Sequence, residues 1–285
     1  MDPIKIMVNG LPGNMASKVA SFAAEDDRFR LIPRSLTGPE ISADVHRAGA
    51  ATVRLIAFSD REQEIAEIID AEGAFISVDY THPSAANDNA RFYCRHRLPF
   101  VMGTTGGNRS ALEKTVLESN TAAVIAPNMA KQIVGFQAMM EHAADSFPDL
   151  FKGYRLEVRE SHQEGKADTS GTARAMIGCF NRLGIPFSEN DIRMERDPEV
   201  QLRQWGIPED YLRGHAWHTY TLISLDGTVR FEFTHNVNGR DIYARGTLDA
   251  VEFLQRRIDE GCAEGRVYTM IDVLRGEGRP LHVEG

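Results

Sequence analysis

Between Ile4 and Pro127, six short apolar runs (IKIMVNG, FRLIPRS, TVRLIAFSD, AFISVDY, PFVMGTT and AAVIAP) are separated by stretches with helical patterning. This alternation constrains the fold more than any other feature of the chain. Strands linked by helices run parallel, and helices then cover both faces of the sheet. Such strands read as continuous apolar runs rather than alternating ones, and these largely do. Helices are expected at Met15–Ala24, Glu62–Glu72 and Arg109–Glu118. The expectation for residues 1–128 is an α/β, Rossmann-like parallel-sheet domain.

The rhythm changes after Pro127. A helix is expected over Ala130–Phe147, a strand over Tyr154–Ser161 and a helix over Thr172–Leu183, followed by a polar stretch with Pro198 and Pro208. HTYTLISLDGTVRFEFTH reads as an antiparallel hairpin turning at Asp226-Gly227, where Gly supplies the positive φ. Residues 129–242 are thus expected to form an α+β domain for substrate binding and oligomerisation, with a mostly antiparallel sheet. A helix from Leu248 to Asp259 and a last strand, VYTMIDVLR, return residues 243–285 to the first domain, with hinges expected near 127–130 and 240–243.

The net charge of -9 argues against a nucleic-acid partner, which needs clustered Lys and Arg. No apolar run approaches the ~20 residues of a membrane span. The N-terminus lacks the pattern of a secretory signal, and Cys94, Cys179 and Cys262 are too widely spaced for a disulfide framework or zinc site. A cytoplasmic protein with reduced thiols is expected. His215 and His218 form an H-x-x-H with His235 nearby, but a metal would require them to converge, and no metal is expected.

Two segments carry chemistry. VNGLPGNMA follows the first strand and opens the first helix. Gly10 allows the tight turn, and Gly13 lets the backbone approach a pyrophosphate at the helix N-terminus, beside Asn14 and Met15. The spacing is G-x-x-G, which alone would also suit a turn without ligand. The second run ends without an acid but with Arg34 and Ser35. Arg34 could pair with a 2′-phosphate or be an ordinary surface arginine; the expected cofactor is NADPH, with NADH as the alternative. VMGTTGG, with Gly103, Thr104 and Thr105, would lie beside a nicotinamide, and APNMAKQ, with Pro127, Asn128, Met129 and Lys131, follows the sixth run.

The other segment is ESHQEGKADTSGTARAM, residues 160–176. Ser170, Gly171 and Thr172 stand at a helix start, where hydroxyls and free N–H groups can grip a carboxylate or phosphate; the same triplet would also serve as a plain cap. Lys166 adds a positive charge, and His162 is the nearby group that titrates near neutrality. Together they point to an anionic substrate and a general acid.

These residues resemble the signature of the dihydrodipicolinate reductases. NGLPGNM, GTTGG, APNMAKQ, HAWHTY, FEFTHNVNGR and YTMIDVLRG extend the resemblance over most of the chain, and HQEGKADTSGTA is similar to the plant-type branch. The resemblance implies NAD(P)H-dependent reduction of a cyclic imine bearing two carboxylates, 4-hydroxy-tetrahydrodipicolinate, in the diaminopimelate route to lysine. It implies His162 as acid, Lys166 as its assistant, Ser170, Gly171 and Thr172 as the carboxylate grip, and Arg240 near the substrate. It also implies a homodimer or homotetramer. Asn14 and the IPRS strand end depart from the family pattern. A sibling reductase of another cyclic imino acid and a catalytically silent nucleotide-binding module are the alternatives.

Overall fold

The computed structural model describes residues 2–166, 168–262 and 264–276. Strand β1 (Ile4–Asn9) buries its last four residues and leads through the glycine turn into helix α1 (Asn14–Ala24), whose Ala16, Val19, Ala20 and Ala23 face inward at helical spacing. FRLIPRS then forms two strands rather than one. β2 (Phe29–Leu31) pairs in parallel with β1, whereas β3 (Arg34–Leu36) joins a second sheet. Pro33 lies at the break; it has no N–H for the ladder and its ring restricts φ.

The second sheet also holds a strand that the apolar runs did not announce, β4 (Val45–Ala48), antiparallel to β5 (Ala51–Ile56). TVRLIAFSD therefore belongs to this small sheet, ordered β3-β5-β4. The chain continues through α2 (Arg61–Glu72), β6 (Ile76–Asp79), α3 (Ala86–Arg95), β7 (Phe100–Met102), α4 (Arg109–Leu117) and β8 (Ala122–Ile125). Helix α3, ANDNARFYCR, buries Ala86, Ala90, Phe92 and Tyr93 on one face.

Helix α5 (Lys131–Ser146), β9 (Tyr154–His162), α6 (Gly171–Arg182), β10 (Arg193–Glu195) and a turn of helix, α7 (Pro198–Val200), follow. Then come β11 (His215–Ser224), β12 (Arg230–Asn238), α8 (Asp241–Asp259), β13 (Arg266–Tyr268) and α9 (Met270–Arg275). Helix α8 begins at Asp241 rather than Leu248, because burial overrides the weak helix propensity of Gly246 and Thr247. VYTMIDVLR is not one strand. Thr269 and Asp272 form a capping box that starts α9 immediately after β13.

Residues up to Lys131 and from Asp241 onward form one compact unit, and Gln132–Arg240 a second. In the first, six parallel strands are ordered β13-β8-β7-β6-β1-β2. One of its cores gathers Met7, Ile32, Ile65, Phe92, Phe100 and Val116. In the second, the order is β10-β9-β11-β12, antiparallel except that β10 runs parallel to β9. Helix α6 supplies Met176, Ile177 and Phe180 to a core shared with Leu156, Val158, Tyr220 and Leu222.

Candidate active site

Because the main strands are parallel, the loops after β1, β6, β7 and β8 all leave the carboxyl edge of the sheet. Gly10 has φ +99, and a Cβ there would stand 2.2 Å from the Tyr80 carbonyl oxygen. A Cβ on Gly13 would meet the Gly10 carbonyl at 2.8 Å. Both glycine positions are thus closed to side chains. Gly13 caps α1 without any side-chain hydrogen bond, and the first turn holds no acid. The open N–H groups at Asn14 and Met15 and the positive end of the helix dipole fit a pyrophosphate.

A buried carboxylate fixes these loops. Asp79, 0% exposed at the end of β6, accepts hydrogen bonds from Tyr93 Oη (2.7 Å), Asn89 Nδ2 (3.0 Å), Thr81 Oγ1 (2.9 Å) and Thr104 Oγ1. The Gly103 and Thr104 N–H groups donate to its carbonyl at 3.0 and 3.2 Å. Asn9 joins the network through Nδ2 to Tyr93 Oη and accepts from Leu36 N–H. None of Asn9, Asp79 and Tyr93 was singled out from the sequence. An acid closing an otherwise apolar parallel strand, ISVD, was the available signal.

Not every expected cofactor residue is on the cradle. Ser35 is fully buried, and its Oγ accepts the Leu11 N–H at 3.3 Å, so it supports the turn from behind. Adjacent strand residues face opposite ways. Arg34 accordingly lines a cleft of about 320 Å³ whose other charged groups are Arg54, Glu64, Glu67 and Glu72, and it donates to the Pro33 carbonyl at 3.1 Å. Arg34, expected at a 2′-phosphate, thus stands in this structure against the cleft that holds Glu64 and Glu67. Thr105 is exposed at the loop, whereas Thr104 is engaged with Asp79. Pro127 is exposed, Asn128 accepts the Ala130 N–H, Met129 is buried, and the Lys131 ammonium is paired with Asp249 of α8 at 2.5 Å.

In the second unit, strand register builds the site. Glu160 of β9 pairs with His218 of β11, and His218 with His235 of β12, forming one row; His162 lies on the same face two residues on. His215, three residues from His218, projects to the opposite face. There its Nε2 is 2.8 Å from Ser161 Oγ and its Nδ1 donates to the Tyr211 carbonyl at 3.0 Å. The H-x-x-H pair therefore diverges, and His215 ties down the preceding loop.

Glu160 is 0% exposed. Its carboxylate takes Arg196 Nη2 at 2.6 Å and Ser170 N–H at 3.2 Å, with His218 Nε2 at 3.6 Å and His162 Nε2 at 3.9 Å. Burial alone would raise its pKa; His218, Arg196 and the Ser170 N–H outweigh burial and hold it well below the carboxylate range. Arg196 also donates through Nε to the Lys166 carbonyl at 2.8 Å. Gln201 Nε2 donates to the His162 carbonyl at 2.7 Å. Glu160, Arg196 and Gln201 were missed by the motif reading. The position of Glu160 two residues before His162 was a legible same-face signal, but Arg196 and Gln201 arrive from distant sequence.

Ser170 is the N-cap of α6: its Oγ accepts the Ala173 N–H at 3.0 Å and hydrogen-bonds His218 Nε2 at 2.8 Å. The hydroxyl is thus already engaged within the protein. Among the described residues the Gly171 and Thr172 N–H groups have no partner. The Lys166 ammonium has none either, yet its charge reaches His162. Arg240 follows β12 at the same end of the sheet as His162, its Nη1 close to Gly214. Glu160, His162 and His218 each bring a donor atom within 4.8 Å of the others. With Arg196 and Lys166 beside them, the pocket favours an anion over a metal cation.

His162 is 6% exposed. Its Nδ1 donates to the His215 carbonyl at 3.2 Å, and its buried Nε2 has no partner. Burial, aided by His218, Arg196 and Lys166 and opposed by Glu160, lowers its pKa to about 3.

A pyrophosphate cradle on a parallel sheet, and an imidazole beside a lysine and a free helix N-terminus, define a nicotinamide-dependent oxidoreductase for a carboxylate substrate. Residues 4–129 match the model of the dihydrodipicolinate reductase N-terminus, and residues 133–274 that of its C-terminus. The chain belongs to the dihydrodipicolinate reductase family. It is 47% identical over 270 residues to the rice probable 4-hydroxy-tetrahydrodipicolinate reductase 2, chloroplastic, covering 95% of this chain and 82% of that one. An Arabidopsis thaliana 4-hydroxy-tetrahydrodipicolinate reductase 2, chloroplastic, is also 47% identical, covering 95% and 77%. The reductase of Methanopyrus kandleri is 27% identical, covering 96% and 99%, so the plant type is the nearer of these kinds. In fold, a dipicolinate-bound dihydrodipicolinate reductase from Paenisporosarcina sp. TG-14 superposes with TM-score 0.65 at 17% identity, covering 94% and 98%. The expected cytoplasmic location is corrected by the rice and Arabidopsis relatives, whose names place them in the chloroplast. No helix among the described residues is long and apolar enough to cross a membrane.

Proposed function

We propose that this protein reduces 4-hydroxy-tetrahydrodipicolinate to tetrahydrodipicolinate in diaminopimelate and lysine biosynthesis. The observation that carries this reading is the joint placement of His162, Lys166 and the free N–H groups of Gly171 and Thr172 around a buried, charge-balanced pair, Glu160 and Arg196. The names of the plant relatives support it and favour a plastid setting.

When bound, the reduced nicotinamide supplies a hydride to the ring. The reaction also consumes one proton and releases the substrate hydroxyl as water. Gly171 and Thr172 N–H and the Lys166 ammonium receive the carboxylates, with Arg240 at the same end of the sheet. His162 is the proton donor, acting through Nε2, the atom of its ring without a hydrogen-bond partner. Orientation by these groups lowers the barrier because both transfers need near-contact geometry.

With Arg34 turned to an acidic cleft, comparable use of NADPH and NADH is the preference we assign. Self-association is assigned to β12 and its surroundings in the second unit, where Phe231 on this edge strand is 41% exposed and Leu225 in the preceding hairpin turn 81%. The test is oxidation of NADPH with substrate freshly made by a coupled synthase. Rapid oxidation is expected. Turnover of other cyclic imino acids but not this one would replace the reading with the sibling reductase.

A further inference from the structure

The geometry of His162 raises a difficulty that the proposed reaction must overcome. A carbonyl oxygen can only accept, so the His215 carbonyl fixes the His162 proton on Nδ1. In the neutral ring Nε2 is then bare, an acceptor rather than a donor. Nε2 is also buried and without a partner, 3.9 Å from Glu160 Oε2. An acid cannot donate from that atom until a second proton arrives.

The groups around the ring show what would bring it. Facing His162 are Glu160 on its own strand, His218 on β11, Arg196 after β10 and Lys166 on the following loop. His215 on β11 contributes only its carbonyl to the ring. Arg196 lies on the far oxygen of Glu160 and offsets part of its charge, and Lys166 leaves the free pocket positive. A positive, dry pocket opposes an imidazolium. Opposite charge within about 4–6 Å favours the charged form, and a dicarboxylate brings two negative charges at once.

Resting on the reading of the substrate as a dicarboxylate, we propose that its binding draws one proton from solvent onto His162 Nε2, with Glu160 as the fixed counter-charge. Binding thus loads the acid. The proton forms an N–H bond at Nε2, and in the reduction that bond breaks as the proton passes to the substrate, leaving the ring neutral. Hydride comes from the nicotinamide, so charge and atoms balance over the cycle. Glu160 is a positioning residue here: it does not touch substrate, but it stands across from Nε2 and so decides how readily the second proton is held. Its burial keeps that charge close and poorly screened. The arrangement also keeps the free enzyme from carrying an unpaired buried cation between turnovers.

The probe is pyridine-2,6-dicarboxylate, titrated calorimetrically into the full chain with reduced cofactor present, at pH 5.5, in buffers of different ionisation enthalpy. The slope of observed heat against buffer enthalpy gives the protons exchanged. The proposal expects substantial proton uptake per bound ligand at that pH, with affinity falling by up to about tenfold per pH unit between the free ring's pKa and its raised value in the complex, and levelling off above the latter. His162→Asn should bind the probe with no uptake and a flat pH dependence. Glu160→Gln, if it folds, should lower the uptake. Binding without proton uptake by an enzyme that still turns over hydroxy-tetrahydrodipicolinate would overturn the proposal and leave the function standing. Uptake persisting in His162→Asn would overturn it by placing the proton elsewhere. Failure of the wild type both to bind the probe and to reduce the substrate would remove the functional reading and this inference with it.

Discussion

The two sites of this chain are built from different materials. The proposed cofactor cradle is made of backbone: a turn with no room for a Cβ at Gly10 or Gly13, a helix start without a side-chain cap and loops pinned by Asp79 from behind. The acid site is made of side chains set in rows by strand register, with a buried ion pair at its floor. Backbone sites tolerate almost any side chain except where Cβ must be absent, and they hold a fixed, pH-independent partial charge. Side-chain sites can change protonation, so they carry the chemistry and also the cost of burying charge.

The sharpest way to break the contrast is to remove the carboxylate beneath the acid. Glu160→Gln strands the Arg196 guanidinium in a half-dry pocket. Removing one partner of a buried pair typically destabilises by about 3–5 kcal/mol, so a large loss in chemical denaturation midpoint is expected. An unchanged midpoint would mean that the floor is more hydrated than its geometry shows. In the cradle, Gly10→Ala forces a positive φ and a clash with the Tyr80 carbonyl. It should cost roughly 1–3 kcal/mol of stability, and fluorescence titration should find weakened cofactor binding.

Acid should separate the two sites further. His162 and His235 are depressed to about 3 and about 4, both chiefly by burial. The unfolded chain then binds more protons than the native one below the ordinary histidine range. Stability is therefore complete above about pH 6.5 and falls as pH drops toward these values, by up to about 1.4 kcal/mol per unit for each ring. Thermal melts from pH 7 to pH 4 should show that loss, and His235→Phe should lessen it. The smallest effect belongs to Arg34→Ala, which should change the NADPH to NADH ratio of kcat/KM by less than about twofold.

Much of this was legible in the chain itself. The parallel sheet followed from continuous apolar runs, and His162, Lys166 and the SGT helix start from eleven consecutive residues. What escaped shares a physical reason. Pro33 splits one apolar run between two sheets, and apolarity alone cannot say which sheet a strand joins. Thr269 and Asp272 turn VYTMIDVLR from strand to helix through a cap that an apolar reading overlooks. That Arg34 faces the cleft and Ser35 the turn is a matter of strand alternation beyond the kink, which charge alone does not show. Arg196 reaches Glu160 across 36 residues, a pairing that only the fold makes.

The most direct test of a division between a backbone cradle and a side-chain acid is one comparison in the same preparation: kcat and cofactor affinity of His162→Asn against wild type. A loss of about 10²–10⁴ in kcat with unchanged cofactor affinity is the expected result. Wild-type kcat at neutral pH in the variant would contradict the assignment of the acid and, with it, the account of the site.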